Sequence, residues 1–291
     1  MTSDQPSLPL LFWQALRRLF ADEAVPLAGN IAFRSIFSLF PFLIFLTAHA
    51  GFFGTEEQAK NLVAYLLSVA PEQIIRPLAG EITSILTVPR TGLLSVAALL
   101  TIWSAMAGVD SVRVGLNRAY DLKEHRNAWT IYALEVLFII AAAVFVLAFS
   151  FLLIVLPLAA GFVERHFPGT MEQFTIWHQL RYPLAMLLLW AGLHVAHRVL
   201  PARPLPARRV LPGILLTLVV WIILTAAFSE WLQNFNSFAS TYASLSGLFA
   251  AMFFVYLAAL VLIFGGEFNR VLDTYQSEPN LEAPSRPSSI H

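Results

Sequence analysis

The chain of 291 residues contains no cysteine, which removes disulfides, thiolate catalysis and thiolate metal sites together. Charge is also scarce. Lys plus Arg and Asp plus Glu number 18 each, so 12% of residues are charged. A soluble domain carries about 25%. The two signs cancel, leaving no basic field of the kind that gathers nucleic acid. The sequence has no G-x-S-x-G, no H-E-x-x-H, no Walker loop and no Gly-rich phosphate cradle. It also lacks a His-x-His or His–Cys cluster that would seat the paired metals of a hydrolytic nuclease. Neither an enzyme nor a cofactor is therefore expected. Leu8–Trp13 is too short for a signal-peptide core and has no basic residues before it, so no cleavage is expected.

What the chain has in abundance is apolar surface: 58% of residues are hydrophobic and the mean hydropathy is +0.70. Ala243 to Gly266 runs 24 residues without a charge, which as a helix at about 1.5 Å per residue crosses a bilayer with some tilt. Ala243, Gly247 and Ala251 recur every fourth residue there and form a small-residue face for another transmembrane helix. That face can pack within one chain or between protomers. The composition predicts an all-α polytopic membrane protein with about six transmembrane helices, near 27–53, 92–109, 136–160, 181–198, 210–229 and 243–266. They form a single transmembrane domain over 27–272. Pro41 is expected to kink the first.

Around these spans the polar segments differ in kind. Residues 8–26 set Leu8, Leu11, Phe12, Ala15, Leu16 and Leu19 against Arg17, Arg18, Asp22 and Glu23. They form a helix that either lies in the membrane interface or packs on the bundle. Residues 54–90 contain two amphipathic patterns too short to span and read as an extracytoplasmic helical hairpin. The Pro/Ser-rich tail 273–291 reads as disordered. With six spans and a cytoplasmic N-terminus, 13 basic residues fall inside and five outside. The positive-inside rule then places both termini in the cytoplasm.

Polar groups gather at the inner ends of spans one, two and six: Asn30, Arg34, Asn117, Arg118, Asp121, Glu267 and Asn269. An ionisable residue inside a membrane segment is a functional hypothesis by default. Glu267 can pair with Arg270 one turn on, and Arg34 can pair with Glu267 or Asp110, or snorkel. Asn117-Arg118-Ala119-Tyr120-Asp121 and Asn269-Arg270-Val271-Leu272-Asp273 share an N-R-x-x-D pattern, which reads either as a duplicated gate or as Arg–Asp pairing along one helix face. His194 and His197 are three apart, but no third ligand has metal-site spacing, so both are assigned to packing or interfacial roles.

Several stretches in order resemble the YihY/BrkB family of bacterial inner-membrane proteins. They are Asn30 with Ala32-Phe33 and Ser38-Leu39-Phe40-Pro41; Trp103-Ser104-Ala105 and Gly115-Leu116-Asn117-Arg118-Ala119-Tyr120-Asp121; and Tyr242-Ala243-Ser244-Leu245-Ser246-Gly247 with Gly265-Gly266-Glu267-Phe268-Asn269. The resemblance implies a six-span protein of the cell inner membrane. Members have carried the label ribonuclease BN through a naming error, and some are labelled virulence factors. Arg34 departs from the family pattern, which has an uncharged residue there.

Together these features predict a transporter or a translocator of lipid or lipid-linked substrates in the envelope. The expected cavity is formed by Asn30, Arg34, Pro41, Asn117, Arg118, Asp121, Glu267 and Asn269. Kinked helices beside polar groups are how transporters build sites. The alternative is a non-transport envelope scaffold that docks through 54–90. The partners expected are the bilayer and a lipid substrate, with no nucleic acid.

Overall fold

A computed structural model describes residues 7–53, 91–166, 175–234 and 243–277, with isolated positions between 55 and 84. The hairpin expected over 54–90 therefore lies almost wholly outside the described residues, as do most of the leader and the tail from 278. No strand occurs among the described residues. The helices are α1 (Leu8–Ala21), α2 (Ala24–Phe53), α3 (Thr91–Ala119), α4 (Ala128–Ser150), α5 (Leu156–His166), α6 (Thr175–Val199), α7 (Ala207–Asn234) and α8 (Ala243–Ser277).

Local chemistry sets the ends of several of these. Asn127 caps α4, its Oδ1 accepting from the Thr130 backbone N–H at 2.8 Å. Helix α3 closes with a Schellman arrangement: the Leu122 N–H reaches the Asn117 carbonyl and the Asp121 N–H reaches that of Arg118. Asp121 takes the left-handed conformation this needs, with φ 53°. Between α4 and α5 the helix widens into a π-turn, Phe151–Val155, with the Leu156 N–H reaching back to the Phe151 carbonyl. Pro157 follows at once, its ring crowding the carbonyl of Leu153 and offering it no donor. Pro41, expected to kink span one, lies inside α2, which continues as a helix on both sides of it.

Five helical stretches are long and apolar enough to cross a membrane: Ala24–Phe45, Ser95–Ala119, Ala128–Val163, Ala207–Leu232 and Gly247–Gln276. Helix α6 matches them in length but carries Arg181 and Arg198 with only 16 residues between them, which shortens its apolar run. Side chains such as Leu99, Leu137, Val144, Leu147, Leu158 and Ile223 are well exposed. In a polytopic membrane protein that is the lipid-facing surface. The chain is a multi-pass membrane protein.

The chain divides into two units, one of residues 33–108 and one of residues 1–32 with 109–291. In the smaller unit the Arg34 guanidinium donates to the Ala107 carbonyl at 3.0 Å. Ser104 returns its hydroxyl to the Leu100 carbonyl at 2.7 Å. The larger unit is built on the α7–α8 pair, with α1 laid along α8 and α6 along α7. Leu11, Ala15 and Leu19 of α1 join Ala24, Ala28, Ile263, Phe264 and Val271 in one apolar cluster. Leu116, Leu193, Val210, Ile214, Leu218 and Leu262 form a second. The other face of α1 leaves Leu8, Trp13 and Phe20 exposed. Thus α1 is packed on the bundle along one face and stays apolar on the other.

Glycine lets α7 and α8 touch. A Cβ on Gly213 would overlap the Gly265 carbonyl oxygen, and one on Gly265 would overlap Thr217 Oγ1 and lie 2.7 Å from the Gly213 carbonyl oxygen. The backbones meet there with no side chain between them. Further along, Trp221 Nε1 donates to the Ala258 carbonyl at 3.0 Å. By contrast, Gly247 and Ala251 are exposed, and a Cβ on Gly247 would meet nothing within 4 Å. The close helix approach in this unit therefore falls at Gly213 and Gly265 rather than along the Ala243, Gly247 and Ala251 face.

Candidate functional site

At the end of the larger unit where α1, α3 and α6 finish and α2, α4 and α7 begin, polar side chains are buried together. Asn117, Arg113, Glu135, His197, Glu267 and Asn269 are all less than 9% exposed. Apolar runs brought the helices there. What holds their ends is a hydrogen-bond network, because buried backbone and side-chain polar groups need partners.

The two N-R-x-x-D segments supply the two central amides. Asn269 Oδ1 accepts from the Gly213 N–H at 2.6 Å, while its Nδ2 donates to the Val210 carbonyl and to Tyr120 Oη, each at 3.0 Å. Asn117 Oδ1 accepts from the Ala202 N–H, also at 2.6 Å, in the turn between α6 and α7. Each asparagine thus fixes backbone next to or within the start of α7. The Arg–Asp pairing expected along one helix face gives way to pairing between elements. Arg270 reaches Asp22 at 3.2 Å and Asp121 at 2.7 Å. Arg118 lies 4.0 Å from Glu23, and Asp273 takes Arg209 at 3.0 Å. Helix ends converge here, so a carboxylate on a neighbouring element is as near as one on the same helix.

Hydrogen-bond direction assigns the protons around Tyr120. The Gly213 N–H can only donate, so the Asn269 oxygen faces it and the amide NH₂ faces Tyr120. Tyr120 Oη accepts that bond and gives its own hydrogen to His197 Nδ1 at 2.8 Å. Neutral His197 then carries its proton on Nε2, which is buried without a partner. Burial pushes the Tyr120 phenol above its ordinary value, with the bond from Asn269 opposing. His197 is thus placed by Tyr120. Among the described residues no three His, Cys, Asp or Glu groups cluster as metal ligands.

A second set ties α3 to α4. Arg113 bridges Asp110 and Glu124, both at 2.5 Å, and Glu135 lies buried beside Asp110 and Arg113. Glu124 also takes Arg126 at 2.7 Å, and Arg126 donates to the Leu200 carbonyl at 2.9 Å. The Arg126 hydrogen bond, foremost, holds the Glu124 carboxyl down at about 2.

Glu267 is the carboxyl exception to this satisfaction, in addition to His197 Nε2 and Arg113 Nε. It is 0% exposed, and neither carboxyl oxygen meets a donor at hydrogen-bond geometry, although the Asp22 side chain lies close enough to interact with it. The expected pairing with Arg270 does not form, since that guanidinium turns to Asp22 and Asp121. Asp22, Arg270 and Arg18 are its charged neighbours.

Beside this network a groove of about 490 Å³ opens in the larger unit. Leu27, Val114 and Leu122 give it apolar walls, and Glu23, Arg118 and Lys123 give it charge.

Asn117, Arg118, Asp121, Glu267 and Asn269 therefore share one end of this unit. Asn30 is exposed on α2 and takes no part in its hydrogen bonds. Arg34 and Pro41 belong to the smaller unit. Tyr120, Gly213, Arg113 and Glu124 complete the site and were not among the candidates, and His197, weighed as a metal ligand and set aside, joins them. Tyr120 carried a signal, lying inside the first N-R-x-x-D segment. Gly213 carried none beyond being glycine after Pro212.

Residues 15–289 match the family described as virulence factor BrkB. The chain is 28% identical over 273 residues to a Bacillus subtilis protein named ribonuclease-like protein YfkH, covering 91% of this chain and 97% of that one. It is 22% identical over 287 residues to a UPF0761 membrane protein of Alteromonas mediterranea, covering 97% and 94% respectively. A UPF0761 membrane protein of Cronobacter sakazakii is 25% identical over 284 residues, covering 92% and 91%. No solved structure matches the chain.

Proposed function

Starting from the fact that the chain belongs to the BrkB family, we propose that it is a translocator of lipid or lipid-linked substrates in the inner membrane. The reading takes α6 as a sixth span and both termini as cytoplasmic, as the surplus of basic residues on that side favours. The observation that carries it is Glu267: a carboxyl fully buried in a membrane helix with both oxygens unpartnered. Such a group costs about 1–3 kcal/mol or more in stability. A structural role does not repay that cost, because Asp22, Asp121 and Asp273 nearby have each found an arginine. A transport role does, since a site that exchanges partners during a cycle must be unpaired in part of it. The ribonuclease-like name of the Bacillus relative is not extended to this chain, in which no three metal-ligating side chains cluster among the described residues.

The test is flux in proteoliposomes carrying purified full-length protein and headgroup-labelled phospholipid, with Glu267→Gln alongside. Protein-dependent movement that the substitution abolishes is the expected result. Movement unchanged by the substitution removes Glu267 from the path. No movement by folded protein overturns translocation and favours the envelope scaffold acting through residues 54–90.

A further inference from the structure

The groove beside the network has a charge balance that its lining alone conceals. Three of its charged residues are already committed: Arg113 to Asp110 and Glu124, Glu124 to Arg126 as well, and Asp121 to Arg270. Lys123 is exposed and has no ion-pair partner among the described residues. Arg118 is half-exposed. Its contacts are a long 3.4 Å hydrogen bond to the Asp22 carbonyl and Glu23 at 4.0 Å, a carboxylate itself 73% exposed. Two cations are therefore available at the rim, against one loosely held acid.

The apolar walls decide what kind of anion fits. Leu27 lies one turn inside the start of the Ala24–Phe45 stretch, and Val114 about one turn before the end of Ser95–Ala119. The groove thus lies where two membrane-crossing helices leave the hydrocarbon, with cations outermost and leucine and valine further in. A soluble phosphate compound would leave those walls without an occupant, whereas a phospholipid covers both.

We propose that this groove seats the phosphodiester headgroup of a membrane phospholipid, its phosphate between Arg118 and Lys123 and its first methylenes against Leu27 and Val114. The site deepens the translocation reading by naming the headgroup chemistry, and its binding is measurable without any flux. Arg118 and Lys123 sit on the α3 end and the segment after it, which the network already anchors through Asn117 and Glu124. The cations are accordingly carried by anchored backbone, with Arg118 only loosely held and Lys123 without an ion pair among the described residues.

The experiment is native mass spectrometry of the detergent-purified full chain with phosphatidylglycerol, with diacylglycerol of the same acyl chains, and with glycerol 3-phosphate. A thermal melt on each sample checks the fold. Phosphatidylglycerol should bind and diacylglycerol should not. Lys123→Gln should weaken binding about fivefold, and Arg118→Gln added to it about as much again. Lys123 touches nothing structural, so its variant should melt like the parent. Equal binding by the double variant, or by diacylglycerol, overturns the proposal. Saturation by glycerol 3-phosphate that competes with the lipid overturns the lipid as its source. Lys123-dependent binding without flux leaves this site standing and removes translocation alone.

Discussion

Asn269 and Gly213 fit as side chain to backbone. The amide oxygen takes the glycine N–H at 2.6 Å, and a Cβ on that glycine would fall 2.5 Å from the amide nitrogen. It would also overlap the Gly265 carbonyl oxygen, which is backbone and cannot swing away. Gly213→Ala should therefore force α7 and α8 apart and cost about 1–3 kcal/mol. Thermal unfolding in detergent reads this as a lower melting temperature. An unchanged melt would show that the two helices are less tightly apposed.

Asn269→Asp separates the acceptor role of this side chain from its donor role. Aspartate still accepts from Gly213, but it faces the Val210 carbonyl and Tyr120 Oη with no hydrogen to give. A loss of about 1–3 kcal/mol for buried groups left unsatisfied is expected in the same melt. Asn269→Gln, with its extra methylene, should not restore the lost stability. If Asp is tolerated, the two donor bonds contribute little.

Glu124 gives a pH dependence with a defined sign. Its folded value near 2 lies below the ordinary 4.5, chiefly through the Arg126 hydrogen bond. Its contribution is thus complete above about 4.5 and is lost as pH falls toward 2. Glu124→Gln should melt lower than the parent at pH 7, and the gap should narrow progressively as the melts are repeated toward pH 3. A gap independent of pH would mean that Gln loses packing rather than charge pairing.

Five of the six expected spans were legible because apolar runs of this length have few other uses. The site was only half legible. The repeated N-R-x-x-D segments marked the right places, but pairing along one helix was the wrong geometry for them. Helix ends from six elements meet here, and partners such as Arg270 and Asp121 stand 149 residues apart. Gly213 lay beyond reach for the same reason, since its need to be glycine comes from Gly265 and Asn269, more than 50 residues on. Glu267 was picked out by type and position alone. That its neighbours would leave it unpaired depended on where Arg270 pointed.

The small face at Ala243, Gly247 and Ala251 tests whether a second copy packs on α8. Within one chain Gly247 has open space where a Cβ would go. Gly247→Ala should then leave the melt within about 0.5 kcal/mol of the parent, or raise it slightly through helix propensity. A drop, together with a shift to smaller species in native mass spectrometry, would show that this face is buried between protomers.

Glu267 makes opposite predictions for stability and for activity. A buried carboxyl with no partner is worse for the fold than an apolar group of similar volume, because nothing offsets its desolvation. Glu267→Met should accordingly raise the melting temperature, by several degrees for about 1–3 kcal/mol in a chain of this size. If the carboxyl is retained for transport, the same variant should lose flux entirely. Both effects in one protein would mark Glu267 as a group the fold keeps at its own expense. A lower melt would instead mean that Glu267 has a stabilising partner, such as a water or the lipid headgroup itself, and repeating the melt in delipidated detergent would tell those two apart.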